Sequence, residues 1–593
     1  MRQILISLFA LICLAHPALA QNERPNILIV LIDDAAFMDL QPYGGEARTP
    51  HIDTLAQRGT MFTNFRASPL CSPTRAMLLT GLDNHQTGVS TIVEVIPPEL
   101  EGQPGYTLSL EPDVTTIAER LQSEGYRTYM TGKWHLGHGE GDLPADHGFE
   151  RSFILDASGA DNYDTRPFMP FYDSADWFEG RERAELPDDF YSSEFLVDQM
   201  IKYIGTDDGS DAPFFAYVAF QAIHIPIQVP REFTDHYADT YTEGWDVLRE
   251  QRHQRAQELG LIPAGAPLAP IPSNEVVRDW NSLDDHTRAM YARSMAVNAG
   301  MLEAMDLHLG RLLTYLEENG DLENTIVVVA SDNGPEYNDP LREAGFDLFM
   351  ERFDYTWDLE TLGERGSHGF IGTEWALAAS SPFSIFKFHT TEGGVRVPFI
   401  MAGPGATAGM RTDAAGFMPD VAPTLLELAG VGVSADEFTG RSLAAVIGGT
   451  ADFAYGPEDD VGMEVAGNRA LYRGDWKIAW NYAPWGTGEW QLFNVAEDPS
   501  ETTDLWEQYP DLATSMLASY EAYAEEVGVL PLPEGYHPNT QVRVNTWAVV
   551  LERDKLYLAK KLAPVIIGVL LLILLLISGS IYVLKRRAER SSR

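Results

Sequence analysis

Unbroken apolar runs, more than alternation, mark this chain. Residues 26–32 (NILIVLI) lie between Pro25 and Asp33 with no polar position after the first. A strand without a polar face is covered on both sides, as in a parallel sheet. Similar runs occur at 127–130, 214–220, 325–330 and 397–401. Between them, 115–124 and 297–319 place apolar residues at helical spacing. Strand–helix alternation predicts an α/β fold with a large, mostly parallel sheet flanked by helices. From about residue 455 the pattern changes. Residues 471–482 and 490–495 predict short antiparallel strands, and 504–527 a helix. These predict a small C-terminal domain with an antiparallel sheet and a helix. Residues 530–553, proline-rich at their start, predict a stem. Residues 260–272 predict a surface loop. No internal repeat is visible.

The two ends carry apolar segments of different kinds. Met1-Arg2, an apolar run over 4–15 and Ala18-Leu19-Ala20 predict a secretory signal peptide over 1–20. Cys13 is preceded by Ile12, not by the small residue that lipid attachment needs. The second segment, 562–584, contains no charge. Its helical length is about 34 Å, enough for a bilayer. The alternative is a terminal core helix. Lys585, Arg586, Arg587, Arg590 and Arg593 follow it, but Arg553, Lys555, Lys560 and Lys561 precede it. Charge bias alone is therefore weak, and the leader sets the topology. The expected layout is a catalytic domain at 21–454 and a small domain at 455–529. A stem at 530–561, a single span at 562–584 and an inward basic tail at 585–593 follow.

Net charge is −45, and about −50 once the leader's Arg2 and the basic tail are set aside. Such a body repels nucleic acid and offers no basic patch to offset that. It also repels highly sulfated polymers at long range, a hint toward small substrates. Of two cysteines, Cys13 leaves with the leader and only Cys71 remains. An exported protein with a single thiol has either a buried hydrophobe or a functional group there. A single anchor and no disulfide suit the periplasmic face of a bacterial inner membrane.

In open α/β sheets ligands bind beyond the carboxyl ends of the strands. Asp33-Asp34 follows the first strand, and Asp332-Asn333-Gly334 follows TIVVVAS. Alone, either is an ordinary turn or cap. Together they offer three carboxylates and an amide oxygen, which select Ca²⁺ or Mg²⁺ over zinc. Cys71-Ser72-Pro73-Thr74-Arg75 opens a predicted helix, with Pro73 in its first turn. That puts Cys71 where an anion is favoured, with Arg75 as a forked donor. The alternative is a merely reactive thiol. Lys133 and His135 in GKWHLG can reach one cleft. His224 in FQAIHIP is a structural histidine or a ligand of the same cleft. Lys387 begins KFHTTEGGVRVP, whose glycines allow close backbone approach.

From Pro25 to about Gly430 these motifs resemble, in order, the sulfatase family of the alkaline phosphatase superfamily. The Cys-x-Pro-x-Arg box is the most specific of them. The likeness is nearest to bacterial arylsulfatases, because Lys387 precedes TTEGGVRVP. The small C-terminal domain also resembles the family's, whereas the membrane span is not a usual part of the pattern. The resemblance implies an alkaline-phosphatase-like fold and hydrolysis of small-molecule sulfate esters. It implies a maturation enzyme that oxidises Cys71 to formylglycine. It implies Ca²⁺, with Mg²⁺ second, held by Asp33, Asp34, Asp332, Asn333 and residue 71. Arg75 and Lys133 would hold the hydrated aldehyde, His135 would act as its base, and His224 and Lys387 would bind sulfate and help protonate the leaving oxygen. Two rivals remain: a phosphonate monoester or phosphodiester hydrolase with the same box, and an inactive, membrane-tethered metal-binding protein. Residues 163–187 and 231–282 are the expected substrate-choosing loops.

Overall fold

The computed structural model describes residues 24–592 apart from 140, 207–211, 273–275, 344 and 433. The expected leader at 1–20 lies outside the described residues.

Ten strands form one mixed sheet: β1 (Asn26–Ile32), β2 (Gly59–Phe62), β3 (Arg127–Lys133), β4 (Arg151–Leu155), β5 (Trp177–Glu179), β6 (Glu182–Arg183), β7 (Phe214–Ala219), β8 (Thr325–Ser331), β9 (Phe399–Ala402) and β10 (Met410–Thr412). The spatial order is β10-β2-β9-β8-β1-β7-β3-β4-β5-β6. The middle five, β8 to β4, run parallel. β1 lies at the centre and is buried along its whole length. Leu28, Val30 and Ile32 enter one hydrophobic cluster, and Ile27, Ile29 and Leu31 the other. Both faces of the sheet are thus covered, which is why the run shows no alternation. Each such side chain contributes roughly 1.5–3 kcal/mol by burial. The run 397–401 forms β9, which is antiparallel to β8 and β2. A two-sided apolar run reports burial on both faces and carries no information about direction.

Helices cover the sheet: α1 (Cys71–Thr80), α2 (Ile117–Ser123) and α3 (Asp285–Asn319). Helix α3 starts twelve residues before the expected 297. Its N-cap is Asp284, whose side chain accepts from the Thr287 N–H, and Gly320 closes it in a left-handed conformation.

The small domain is an antiparallel sheet of β11 (Asp460–Val465), β12 (Asn468–Arg473), β13 (Trp476–Trp480) and β14 (Gln491–Asn494), with α4 (Pro510–Val527) against it. The run 471–482 spans a hairpin. Arg473 pairs with Trp476 across the two-residue turn Gly474-Asp475. The expected stem contains α5 (Pro538–Arg553). This helix lies on the large domain: Asn545 Nδ2 donates to the Ile96 carbonyl (2.9 Å), and Tyr337 donates to Asn539 Oδ1 (2.9 Å). Helix α6 (Lys555–Ser591) follows, and its stretch Ile567–Ser591 is long and apolar enough to cross a membrane. Its side chains are exposed, Leu575 by 70%. That exposure is contrary to a terminal core helix.

Candidate active site

Because β1 and β8 are parallel neighbours in register, Ile32 opposite Ser331, their next residues leave the sheet side by side. Asp33-Asp34 and Asp332-Asn333 therefore meet: the Asp34 N–H donates to Asp332 Oδ1 (3.1 Å) and Asn333 Nδ2 to Asp34 Oδ1 (2.6 Å). β7 on the other flank leads to His224, and β3 ends at Lys133. Helix α1 begins at Cys71, after Leu70 in an extended conformation. The Phe388 N–H donates to the Pro69 carbonyl (2.9 Å), which ties the Lys387 loop to the entry of α1. Gly334 makes a second tie. A Cβ there would sit 2.0 Å from the Gly393 carbonyl oxygen, so this loop packs on the TTEGG segment only as glycine. Asp34 and His135 adopt positive φ, 67° and 60°. Non-glycine residues in that region are strained and cluster at functional sites.

The side chains form one buried cluster. Cys71 Sγ lies 3.5 Å from Asp33 Oδ1 and 3.8 Å from Asp34 Oδ1. Arg75 donates twice to Asp332 Oδ2 (3.1 and 2.7 Å) and once to the Lys133 carbonyl (2.8 Å). Lys133 Nζ reaches Asp33 Oδ2 (2.7 Å). Lys387 Nζ lies 2.8 Å from Asp34 Oδ1 and 3.1 Å from Glu336 Oε2. His224 Nδ1 donates to the Ile225 carbonyl (2.6 Å), because a carbonyl only accepts, and its Nε2 lies 3.8 Å from Asp34 Oδ2. The His135 carbonyl accepts from Ser72 Oγ, and His135 Nδ1 is buried without a partner among the described residues. The ten residues singled out in the sequence thus lie around the ends of β1, β3, β7 and β8. Glu336 is an addition. Its signal is position, an acidic residue four after Asp332, but sequence spacing does not say that the loop turns back onto Lys387.

The electrostatics are those of a crowded, dry site. Burial, with Asp332 and Asp34 nearby, pushes Asp33 up to about 7, although Lys133 pulls it down. Burial would also raise Asp34, but Lys387, with Lys133, outweighs it and holds Asp34 at about 2. The Cys71 thiol is pushed far up by burial and by Asp332, so it is not a thiolate. A reactive cysteine has the opposite shift. Burial, then Lys133, drives both His135 and His224 well below the ordinary histidine range, leaving neutral imidazoles.

This donor set fits a hard divalent cation. Oxygens of Asp33, Asp34 and Asp332 and the Cys71 sulfur all lie within 4.8 Å of one another. Asn333 Oδ1 is buried with no hydrogen-bond partner among the described residues. A buried acceptor left unpaired is costly, and an oxygen-seeking cation would satisfy it.

The TTEGG glutamate does something else. Glu392 is buried and accepts from Arg66 (3.0 Å), Arg396 (2.7 Å) and Lys477 of β13 (3.0 Å). Thr390 N–H donates to Asn481 Oδ1 (2.8 Å), and Asn468 Nδ2 of β12 to the Phe388 carbonyl (2.8 Å). The small domain thereby fixes the loop that carries Lys387. Within one of the expected substrate loops, 231–282, Trp280 stacks edge-on to Trp245 (4.6 Å) and Trp375 (5.8 Å).

The sulfatase family model matches residues 25–431. An uncharacterized sulfatase of Schizosaccharomyces pombe is 34% identical over 541 residues, covering 87% of this chain and 96% of the relative. An arylsulfatase of Klebsiella aerogenes is 35% identical over 423 residues, covering 70% of this chain and 88% of the relative. Among solved structures, that of Ps i-CgsB in complex with k-i-k-neocarrahexaose superposes with a TM-score of 0.61 at 22% identity, covering 90% of this chain and 99% of the other.

Proposed function

The chain belongs to the sulfatase family, and on that premise we propose that it is an arylsulfatase-type sulfuric ester hydrolase. It acts through a formylglycine made from Cys71 by a maturation enzyme, beside a Ca²⁺ ion, with Mg²⁺ as the second choice. One observation carries this reading. A buried sulfur lies 3.5 and 3.8 Å from two carboxylates, among the oxygens of Asp33, Asp34 and Asp332 that could hold a cation. Sulfur is a poor partner for a hard cation, and replacing it by oxygen makes the donor set uniform.

Asp33, Asp34, Asp332 and Asn333 hold the cation, which supplies Lewis-acid polarisation when bound. Arg75 and Lys133 orient residue 71 as its hydrate. One hydroxyl of that hydrate attacks sulfur as the alcohol leaves. Lys387 and His224 would hold the sulfate oxygens and help protonate the leaving oxygen, His224 as the imidazolium formed once Nε2 takes the proton released by the attacking hydroxyl. His224 bonds Ile225 through Nδ1, so Nε2 is the atom aimed at the cleft. Neutral His135 then takes a proton from the second hydroxyl, the aldehyde reforms and sulfate departs.

The layout completes the proposal. A leader at 1–20 exports the body, 21–454 is catalytic, 455–529 is the small domain, and 530–561 joins it to a span at 562–584. The tail 585–593 stays inside, which sets the protein on the periplasmic face of a bacterial inner membrane. The test is kinetic. Protein from a host with the maturation enzyme is expected to have a higher kcat/KM on 4-nitrophenyl sulfate than on the matching phosphonate monoester. Cys71→Ala is expected to abolish both activities. Preference for the phosphonate would favour the phosphodiesterase-like rival, and sustained turnover by Cys71→Ala would refute the scheme.

A further inference from the structure

Beside the cleft lies a second feature, a cavity of about 450 Å³. That is an ordinary size for a small-molecule pocket. Its inner wall adjoins the catalytic cluster through residues that touch or flank the site side chains. Phe168 sits edge-on to the His224 ring at 5.0 Å, and Ile225 supplies the carbonyl that His224 bonds. Tyr337 follows Glu336, and Phe388 follows Lys387. Its outer wall is Trp547 and Val550 of α5 with Tyr557 and Leu558 of α6.

We propose that this cavity takes the alcohol portion of the ester, and that the substrates are sulfate esters of long-chain or fused-ring apolar alcohols reached from the bilayer surface. This rests on the hydrolase reading above and adds the substrate class. Three observations support it. The walls are mainly aromatic and aliphatic. Three polar side chains there are engaged with protein partners, Arg543 with Glu343 (2.9 Å), Tyr337 with Asn539 (2.9 Å) and Arg553 with the Pro170 carbonyl (2.9 Å), while Asp339 Oδ1 and Thr546 Oγ1 lack a hydrogen-bond partner among the described residues. A hydroxyl-rich sugar would leave water for few replacement hydrogen bonds, which is costly. Finally, Leu558 precedes the apolar stretch that starts at Ile567 by nine residues, about 14 Å of helix. The cavity therefore sits close to where an amphiphile would lie, with Phe388, the neighbour of Lys387, on its inner wall.

The test uses the full-length, matured protein in lipid nanodiscs. Its substrates are the n-alkyl sulfates from butyl to decyl, held below their micelle concentrations, with 4-nitrophenyl sulfate and glucosamine 6-sulfate alongside. KM is expected to fall roughly fourfold per added methylene until the cavity is full. The value of kcat should stay nearly flat, since this binding is shared by ground and transition states. Val550→Asp is expected to raise KM for the decyl ester at least tenfold while 4-nitrophenyl sulfate turnover stays within twofold. Trp547→Ala, a milder change at a partly exposed side chain, should move the decyl ester in the same direction. Turnover of 4-nitrophenyl sulfate with a flat alkyl series, or a preference for glucosamine 6-sulfate, overturns this assignment alone. No turnover of any sulfate overturns the hydrolase reading and this assignment with it.

Discussion

Glu336 changes the charge of the site. Three aspartates were legible in the sequence, set against Arg75, Lys133 and Lys387. The fourth carboxylate, 3.1 Å from Lys387, leaves the cluster with one more negative than positive group. An anionic ester is repelled by that balance, and a divalent cation reverses it. On the proposed reading, cation binding and substrate binding would therefore be coupled through the same few side chains. Asn333 is the most direct probe, because its Oδ1, beside the aspartates, is buried without a hydrogen-bond partner among the described residues. Asn333→Ala is expected to weaken Ca²⁺ binding at least about tenfold by calorimetric titration. The substitution also removes the buried Nδ2 bonds to Asp34 (2.6 Å) and to the Gly334 carbonyl (2.9 Å), so the calcium-free protein is expected to lose some thermal stability as well. Unchanged affinity would show that the cation sits elsewhere.

At the scale of elements, the small domain is held to the large one by charge as well as by apolar packing. His85, in the large domain, bonds Asp83 (3.1 Å) and Glu464 of β11 (2.7 Å). Burial opposes a charge on His85, but those two carboxylates outweigh it, and the pKa rises to about 9 from 6.5. A raised histidine pKa stabilises the fold fully below the unfolded value. The contribution, on the order of 3 kcal/mol, fades as pH climbs through about 9. The Tm is thus expected to fall between pH 6.5 and 9 more steeply in wild type than in His85→Gln. Parallel curves would contradict the docking role. Neither this bond nor the Glu392 network was legible, because each joins residues far apart in the chain. What was legible is what local physics dictates. β1 was readable to the residue because it is buried on both faces. The start of α3 was not, because 285–296 carries polar residues on its outer side and the cap at Asp284 outranks periodicity. The split of 471–482 was missed because Gly474-Asp475 interrupts one apolar pattern only briefly. β9 was found, but its direction depends on the route of the chain between strands.

The whole molecule is an acidic body on one apolar helix. Its formal charge of −45 opposes the long-range approach of polyanions, while three buried cationic side chains lie at the candidate site. The helix α5, hidden in what the sequence presented as a stem, connects the two ends of this arrangement: it walls the cavity beside His224 and leads directly into α6. Proline near its start and mixed polarity along it concealed the helix, since its apolar side chains face the large domain only in part. The hydrolase reading depends on residue 71 being something other than a thiol, because its sulfur faces the carboxylates proposed to hold a hard cation. The decisive measurement is mass spectrometry of the tryptic peptide spanning 67–75, from protein made in its native host. The account predicts that Cys71 has exchanged its sulfur and two hydrogens for one oxygen. A peptide carrying the unmodified thiol throughout would remove the proposed nucleophile and contradict the hydrolase mechanism.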